Sequence, residues 1–147
     1  MKKKAKYKRK KSKPTPKGKI TAGMLIRLPD FSKGLVPVII VDYVTKQVLM
    51  LAFTREQEFW ETFHSHEVVF WSRSRKKRWK KGEEKSGNIL QVHEIHLDCD
   101  GDTLIYYVSQ KNPGAGVCHT GAPTCFSPVI LAVFEKKGNT TAKIIPL

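Results

Sequence analysis

Short β-branched and aliphatic runs follow one another along this chain, and only one segment repeats with helical period. Residues 36–41 (VPVIIV), 48–53 (VLMLAF), 67–72 (EVVFWS), 89–97, 103–109, 128–134 and 142–146 each read as a strand. The connection 42–47 is short enough for a hairpin, and 82–88 (GEEKSGN) is a loop by its Gly, Ser and Asn content. Thr54 with Gln57 three positions on resembles a capping box, and Phe59, Trp60 and Phe63 follow at helical spacing, which predicts a helix over 55–64 with its aromatics in the core. Without strand–helix alternation, such a chain must close its strands on one another. The expected fold is mainly β with one or two short helices (α+β), chiefly antiparallel, of barrel or sandwich type.

The net charge of +14 is unevenly placed. Residues 1–19 hold eleven Lys or Arg and no acid, whereas 20–147 hold sixteen basic and thirteen acidic side chains. This divides the chain into a basic tail, 1–19, too poor in apolar surface to order itself, and a single domain over 20–147. The tail would meet RNA or acidic surfaces through salt-screened attraction, or simply solubilise the chain. No apolar run reaches the roughly 18 residues of a membrane span, and no signal-peptide core follows the tail, so the chain reads as cytoplasmic. Three thiols cannot all pair, and a reducing compartment favours metal or nucleophilic chemistry over disulfides.

Those thiols lie close together in sequence. Cys99 sits within Asp98-Cys99-Asp100-Gly101-Asp102, and Cys118 and Cys125 follow in a stretch rich in Gly and Thr. Were 98–102 extended, the three aspartates would share one face and Cys99 would occupy the other. Three clustered carboxylates suit a hard cation such as Mg²⁺, the bland alternative being an exposed acidic turn; Thr103 where an EF-hand needs Gly excludes that loop. Cys99, Cys118 and Cys125 offer three thiolates, the ligand number of a zinc site with an open position, although buried cysteines without function also satisfy the pattern. His119, beside Cys118, suits either the fourth ligand place or a general acid–base role. His93-Glu94-Ile95-His96 spaces its histidines wrongly for a zincin helix and reads as strand surface. The basic segment 71–81 (WSRSRKKRWKK) reads equally as an RNA-stacking patch or as a phosphate clamp.

Taken in order, Trp71-Ser72-Arg73-Ser74-Arg75, Trp79-x-Lys81-Gly82-Glu83, Ser86-Gly87-Asn88, the Asp98 to Asp102 run and Cys118-His119-Thr120-Gly121-x-x-x-Cys125-Phe126 resemble the blocks of the phosphoribosyl-AMP cyclohydrolase family. The resemblance spans about residues 24–127. It implies a β pseudobarrel capped by a helix, and hydrolytic opening of the N1–C6 bond of N1-(5-phosphoribosyl)-AMP in histidine biosynthesis. It further implies a homodimer with zinc sites at the subunit interface. By position, Cys99, Cys118 and Cys125 would bind zinc and Asp98, Asp100 and Asp102 magnesium; because three thiolates would blunt the acidity of bound water, a neighbouring base is wanted, and His119 is the candidate. Trp71, Ser72, Arg73, Ser74, Arg75, Lys80, Lys81 and Ser86 would meet substrate. This chain carries one residue more between Gly82 and Ser86 than the family spacing, and Thr124 where Ser is common. The alternative is a zinc-containing RNA-binding or ribosome-associated protein using the tail and 73–81.

Overall fold

A computed structural model describes residues 27–126; the basic stretch 1–19 and the strands expected at 128–134 and 142–146 lie outside them. In chain order the elements are β1 (Val36–Asp42), β2 (Val48–Thr54), α1 (Glu56–Ser65), β3 (Val69–Ser72), β4 (Lys77–Lys80), β5 (Leu90–Leu97) and β6 (Leu104–Gln110), then a 3-10 turn at Pro113–Ala115. The mainly β expectation with one or two short helices therefore holds. The sheet is mixed and not wholly antiparallel, because β1 and β6 run parallel in the order β2-β1-β6-β5.

Strands β3 and β4 form a separate hairpin, but backbone bonds tie it to the larger sheet. Val68 N–H donates to Leu90 O and Val92 N–H to His66 O, so the segment entering β3 runs beside β5. At the other side β3 packs against β2, and α1 lies across both. The result is a partly closed barrel with one helical cap. Its interior holds Val36, Val38, Ile40, Leu49, Phe59, Phe70, Leu104 and Tyr106, all under 5% exposed. Burial of that apolar surface drives the closure.

Helix α1 starts one residue later than expected, and the capping box does not form. Arg55 is the N-cap and makes no side-chain cap bond. Thr54, buried as the last residue of β2, turns its hydroxyl to Arg55 O instead. Thr62 fastens the helix to β3, accepting from Val69 N–H and donating to Val69 O. Of the aromatics, Phe59 is buried, whereas Phe63 is 43% exposed.

Strand β4 was not legible in the sequence because KRWK lacks β-branched residues. Its Lys and Arg are what an edge strand tolerates. Strand β2 carries a bulge: Ile40 pairs with Met50 and Val41 with Val48, leaving Leu49 outside the ladder. That irregularity frees carbonyls for a later part of the chain.

Candidate active site

The freed carbonyls dock the cysteine loop. Cys125 N–H donates to Leu49 O at 2.8 Å, and the Thr124 hydroxyl reaches Val48 O at 2.9 Å and Leu49 O at 3.1 Å. The turn before it closes on itself, with Val117 and Cys118 N–H both on Ala122 O and Gly121 N–H on Cys118 O. Gly116 lies flat against this turn, where a Cβ would come within 2.3 Å of Gly121 O; only glycine fits. Asn88, fully buried, donates to Gly116 O at 2.8 Å and to Gln110 Oε1 at 2.9 Å while accepting from Asn112 N–H. The Ser86-Gly87-Asn88 block thus supports the cysteine turn from behind. Ser86 accepts from Asn88 N–H and, through its carbonyl, from Asn112 Nδ2.

Cys118 and Cys125 come together at this loop. Hydrogen bonds from Thr120 hold the Cys118 thiol below its usual pKa, and the Cys125 thiol adds to the effect. Cys125 is exposed as a residue, yet desolvation of its sulfur, and then the neighbouring Cys118 charge, push its pKa up. A thiol shifted down beside one shifted up is a pair that a soft or borderline cation would complete. Lys81 adds positive charge nearby; burial lowers its pKa, opposed by both thiols. His119 Nδ1 lies 3.8 Å from Cys118 Sγ.

Cys99 does not join this pair. Among the described residues the one group of three metal-capable side chains is Asp98, Asp100 and Asp102, whose ligand atoms lie within 4.8 Å of one another. Their loop follows β5 and enters β6 at Leu104, opposite Val38 near the start of β1, whereas Leu49 lies between residues paired to Ile40 and Val41 near its end. The two features occupy different ends of the sheet.

The expected extended geometry of 98–102 is also absent, since β5 ends at Leu97. A turn gathers the carboxylates instead. Asp98 Oδ1 accepts from the N–H groups of Gly101 at 2.9 Å, Asp102 at 3.0 Å and Thr103 at 3.2 Å. Desolvation opposes ionisation of Asp98, but these donors outweigh it and its pKa falls. Asp100 is pushed up by its hydrogen bond to Asp98 and by the Asp102 charge. An oxygen-only cluster in which one carboxyl resists ionisation fits a hard divalent cation, which would relieve the repulsion.

A groove of about 840 Å³ collects the other expected residues. Trp71, Ser72, Arg73, Ser74, Arg75 and His119 line it, joined by Leu51, Ala52, Phe53 and Trp79. Phe53 reads in the sequence only as part of a strand, and Trp79 only as part of the basic segment and its Trp79-x-Lys81-Gly82-Glu83 block; neither is expected from sequence as a substrate contact. The chain belongs to the phosphoribosyl-AMP cyclohydrolase family. That family's sequence pattern matches residues 50–127. The chain is 45% identical over 98 residues to the phosphoribosyl-AMP cyclohydrolase of Bacillus cereus strain ATCC 10987, covering 67% of this chain and 93% of that protein. It is 44% identical over the same length to the phosphoribosyl-AMP cyclohydrolase of Bacillus anthracis strain CDC 684, with the same coverage.

Within this cyclohydrolase-family groove, charges are sorted. Of the basic segment, Arg75 and Lys77 pair with Glu84, Arg78 with Glu61 and Glu83, and Lys80 with Glu67. Arg73 instead stacks on Phe53, its guanidinium 3.8 Å from the ring centroid. Acids thus offset most of the charge that an RNA patch would need, and Glu84 of the 82–88 loop takes part. Lys80, Lys81 and Ser86 stand apart from the groove lining, the first on Glu67, the second by the thiols, the third in the supporting loop.

Glu67 also accepts Lys111, joining β4 to the segment after β6, and hydrogen bonds from Lys111 and then Lys80 hold its pKa down at about 2. A depressed carboxyl stabilises the fold above its unfolded pKa of about 4.3, and that contribution fades as pH falls toward 2. Glu67→Gln is therefore expected to lower Tm by a few degrees at neutral pH, with the gap to wild type closing by about pH 2. Thermal unfolding across pH checks this, and a gap independent of pH would contradict it.

Proposed function

We propose that the chain hydrolyses the N1–C6 bond of N1-(5-phosphoribosyl)-AMP, a step of histidine biosynthesis, using Zn²⁺ and Mg²⁺ in a homodimer. The observation that carries this reading is the shared groove: His119, next to a converging thiol pair, opens onto the same cavity as Trp71 and Arg73. Cys118 and Cys125 would hold zinc, with Cys99 supplied by a second copy, because Cys99 stands at another end of its own sheet. Zinc there supplies Lewis acidity, the property that lets water act as a nucleophile near neutral pH. Asp98, Asp100 and Asp102 would hold magnesium.

The chain's own residues account for the remaining chemistry. Trp71 and Trp79 give aromatic faces for a purine. Arg73, free of a carboxylate among the described residues, receives one phosphate as a bidentate partner, and Arg75 can exchange Glu84 for the other. Ser72 orients Arg75, accepting from its Nε at 3.3 Å. His119 takes the proton of the attacking water as a bond forms at C6, and the N1–C6 bond breaks with protonation of the departing nitrogen.

The test is turnover of phosphoribosyl-AMP by full-length, metal-replete protein, followed by loss of substrate, together with metal analysis. About one zinc per chain and ring-opened product are expected. Intact substrate in the presence of both metals would refute the reading. The RNA-binding alternative would gain if that inactive protein bound RNA with steep salt dependence.

A further inference from the structure

An arginine at a helix N-cap forgoes the hydrogen bond that a short polar side chain makes there. Arg55 reaches elsewhere. Its Nη2 and Nε bind the two carboxylate oxygens of Glu58 at 2.7 and 2.9 Å, and Glu58 is 1% exposed. A carboxyl group buried so deeply needs such a hydrogen-bonding partner held in place. The same guanidinium lies 3.3 Å from the centroid of Trp71, which lines the groove.

One face of the indole is thereby covered. A groove occupant has only the other face and the edge of Trp71 to meet. The arrangement is reciprocal across the groove wall: Arg55 after β2 stacks on Trp71 of β3, and Arg73 after β3 stacks on Phe53 of β2. The two differ in charge balance. Arg55 is neutralised by Glu58 and does not compete for phosphate, whereas Arg73 keeps its charge for the groove.

We propose that Arg55 is a positioning residue for purine recognition: anchored on buried Glu58, it backs the Trp71 indole and fixes the ring against which a purine base stacks. This rests on the groove being the substrate site. Loss of Arg55 frees the ring to turn, which weakens stacking without removing any phosphate partner.

The test uses the full chain loaded with zinc and magnesium, with AMP and inorganic phosphate as calorimetric probes, in Arg55→Met and in the Arg55→Met/Glu58→Met double variant. The double variant removes the stranded carboxylate. In both, AMP affinity and KM are expected to worsen about 3- to 30-fold, with kcat within about 2-fold and phosphate affinity unchanged. Wild-type AMP affinity in the single variant overturns the inference. So does its return in the double variant, which would trace the defect to the unpaired acid, or an equal loss of phosphate binding, which would trace it to a distorted groove. A wild-type chain unable to bind AMP overturns it too. A wild-type chain that binds AMP but leaves phosphoribosyl-AMP intact would refute the proposed reaction alone, since the effect of Arg55 on AMP is read separately.

Discussion

Mixing two inactive variants, Cys99→Ala and Cys118→Ala, is expected to restore activity to about a quarter of the wild-type level. Each variant alone lacks one ligand in every site, and each is expected to lose zinc and at least about a thousandfold in turnover, because a two-thiolate site neither holds the metal tightly nor fixes its geometry. The restoration follows from where the thiols lie. Cys125 is pinned to the Leu49 bulge and Cys118 lies beside it, while Cys99 belongs to the turn at another end of the sheet. If a second copy supplies Cys99, a mixed dimer contains one site with all three thiols and one lacking two. Random reassortment makes about half of the dimers mixed, with one working site of two in each. Reassembly from dilute or mildly denatured protein, followed by zinc analysis and turnover, checks the result. No recovery, with mixed dimers shown by size and mass, would mean that the three thiols meet within one chain.

How far such a site could be read from sequence depends on what each residue type does locally. The strand runs and the helix were legible because apolar periodicity reports burial directly. Strand β4 was not, since its pairing with β3 is set by the turn at 73–76 and not by its own composition. Thr54 and Gln57 matched a capping box, but burial of Thr54 at the end of β2 took its hydroxyl out of reach, a tertiary cause invisible in a four-residue motif. The aspartates were rightly grouped for the wrong local reason: Asp98 folds them together by accepting three N–H groups, where strand alternation had been expected. Phe53 and Arg55 were missed because an aromatic in a strand or a charged residue at a helix start already has an ordinary explanation. Only the fold brings Arg55 onto Trp71, across 16 residues of chain.

Replacing His119 with Ala is expected to lower kcat about 10²- to 10⁴-fold while the zinc content stays at the wild-type value. The first half follows from position. His119 opens onto the groove beside Trp71 and Arg73, with its Nδ1 in a long 3.8 Å contact with Cys118 Sγ. That position suits a proton acceptor facing the groove. The need for one follows from the ligands: thiolates donate strongly and leave a metal less able to acidify water, so the neighbouring base carries more of the proton transfer. The second half follows from the thiols, which supply three donors without the imidazole once Cys99 of another copy joins them. Two measurements separate the possibilities. Zinc lost together with activity would make His119 a fourth ligand, whereas unchanged kcat would remove it from the chemistry altogether. Partial recovery of the Ala variant by added imidazole, with zinc constant throughout, is the result expected of a base whose role is to move a proton.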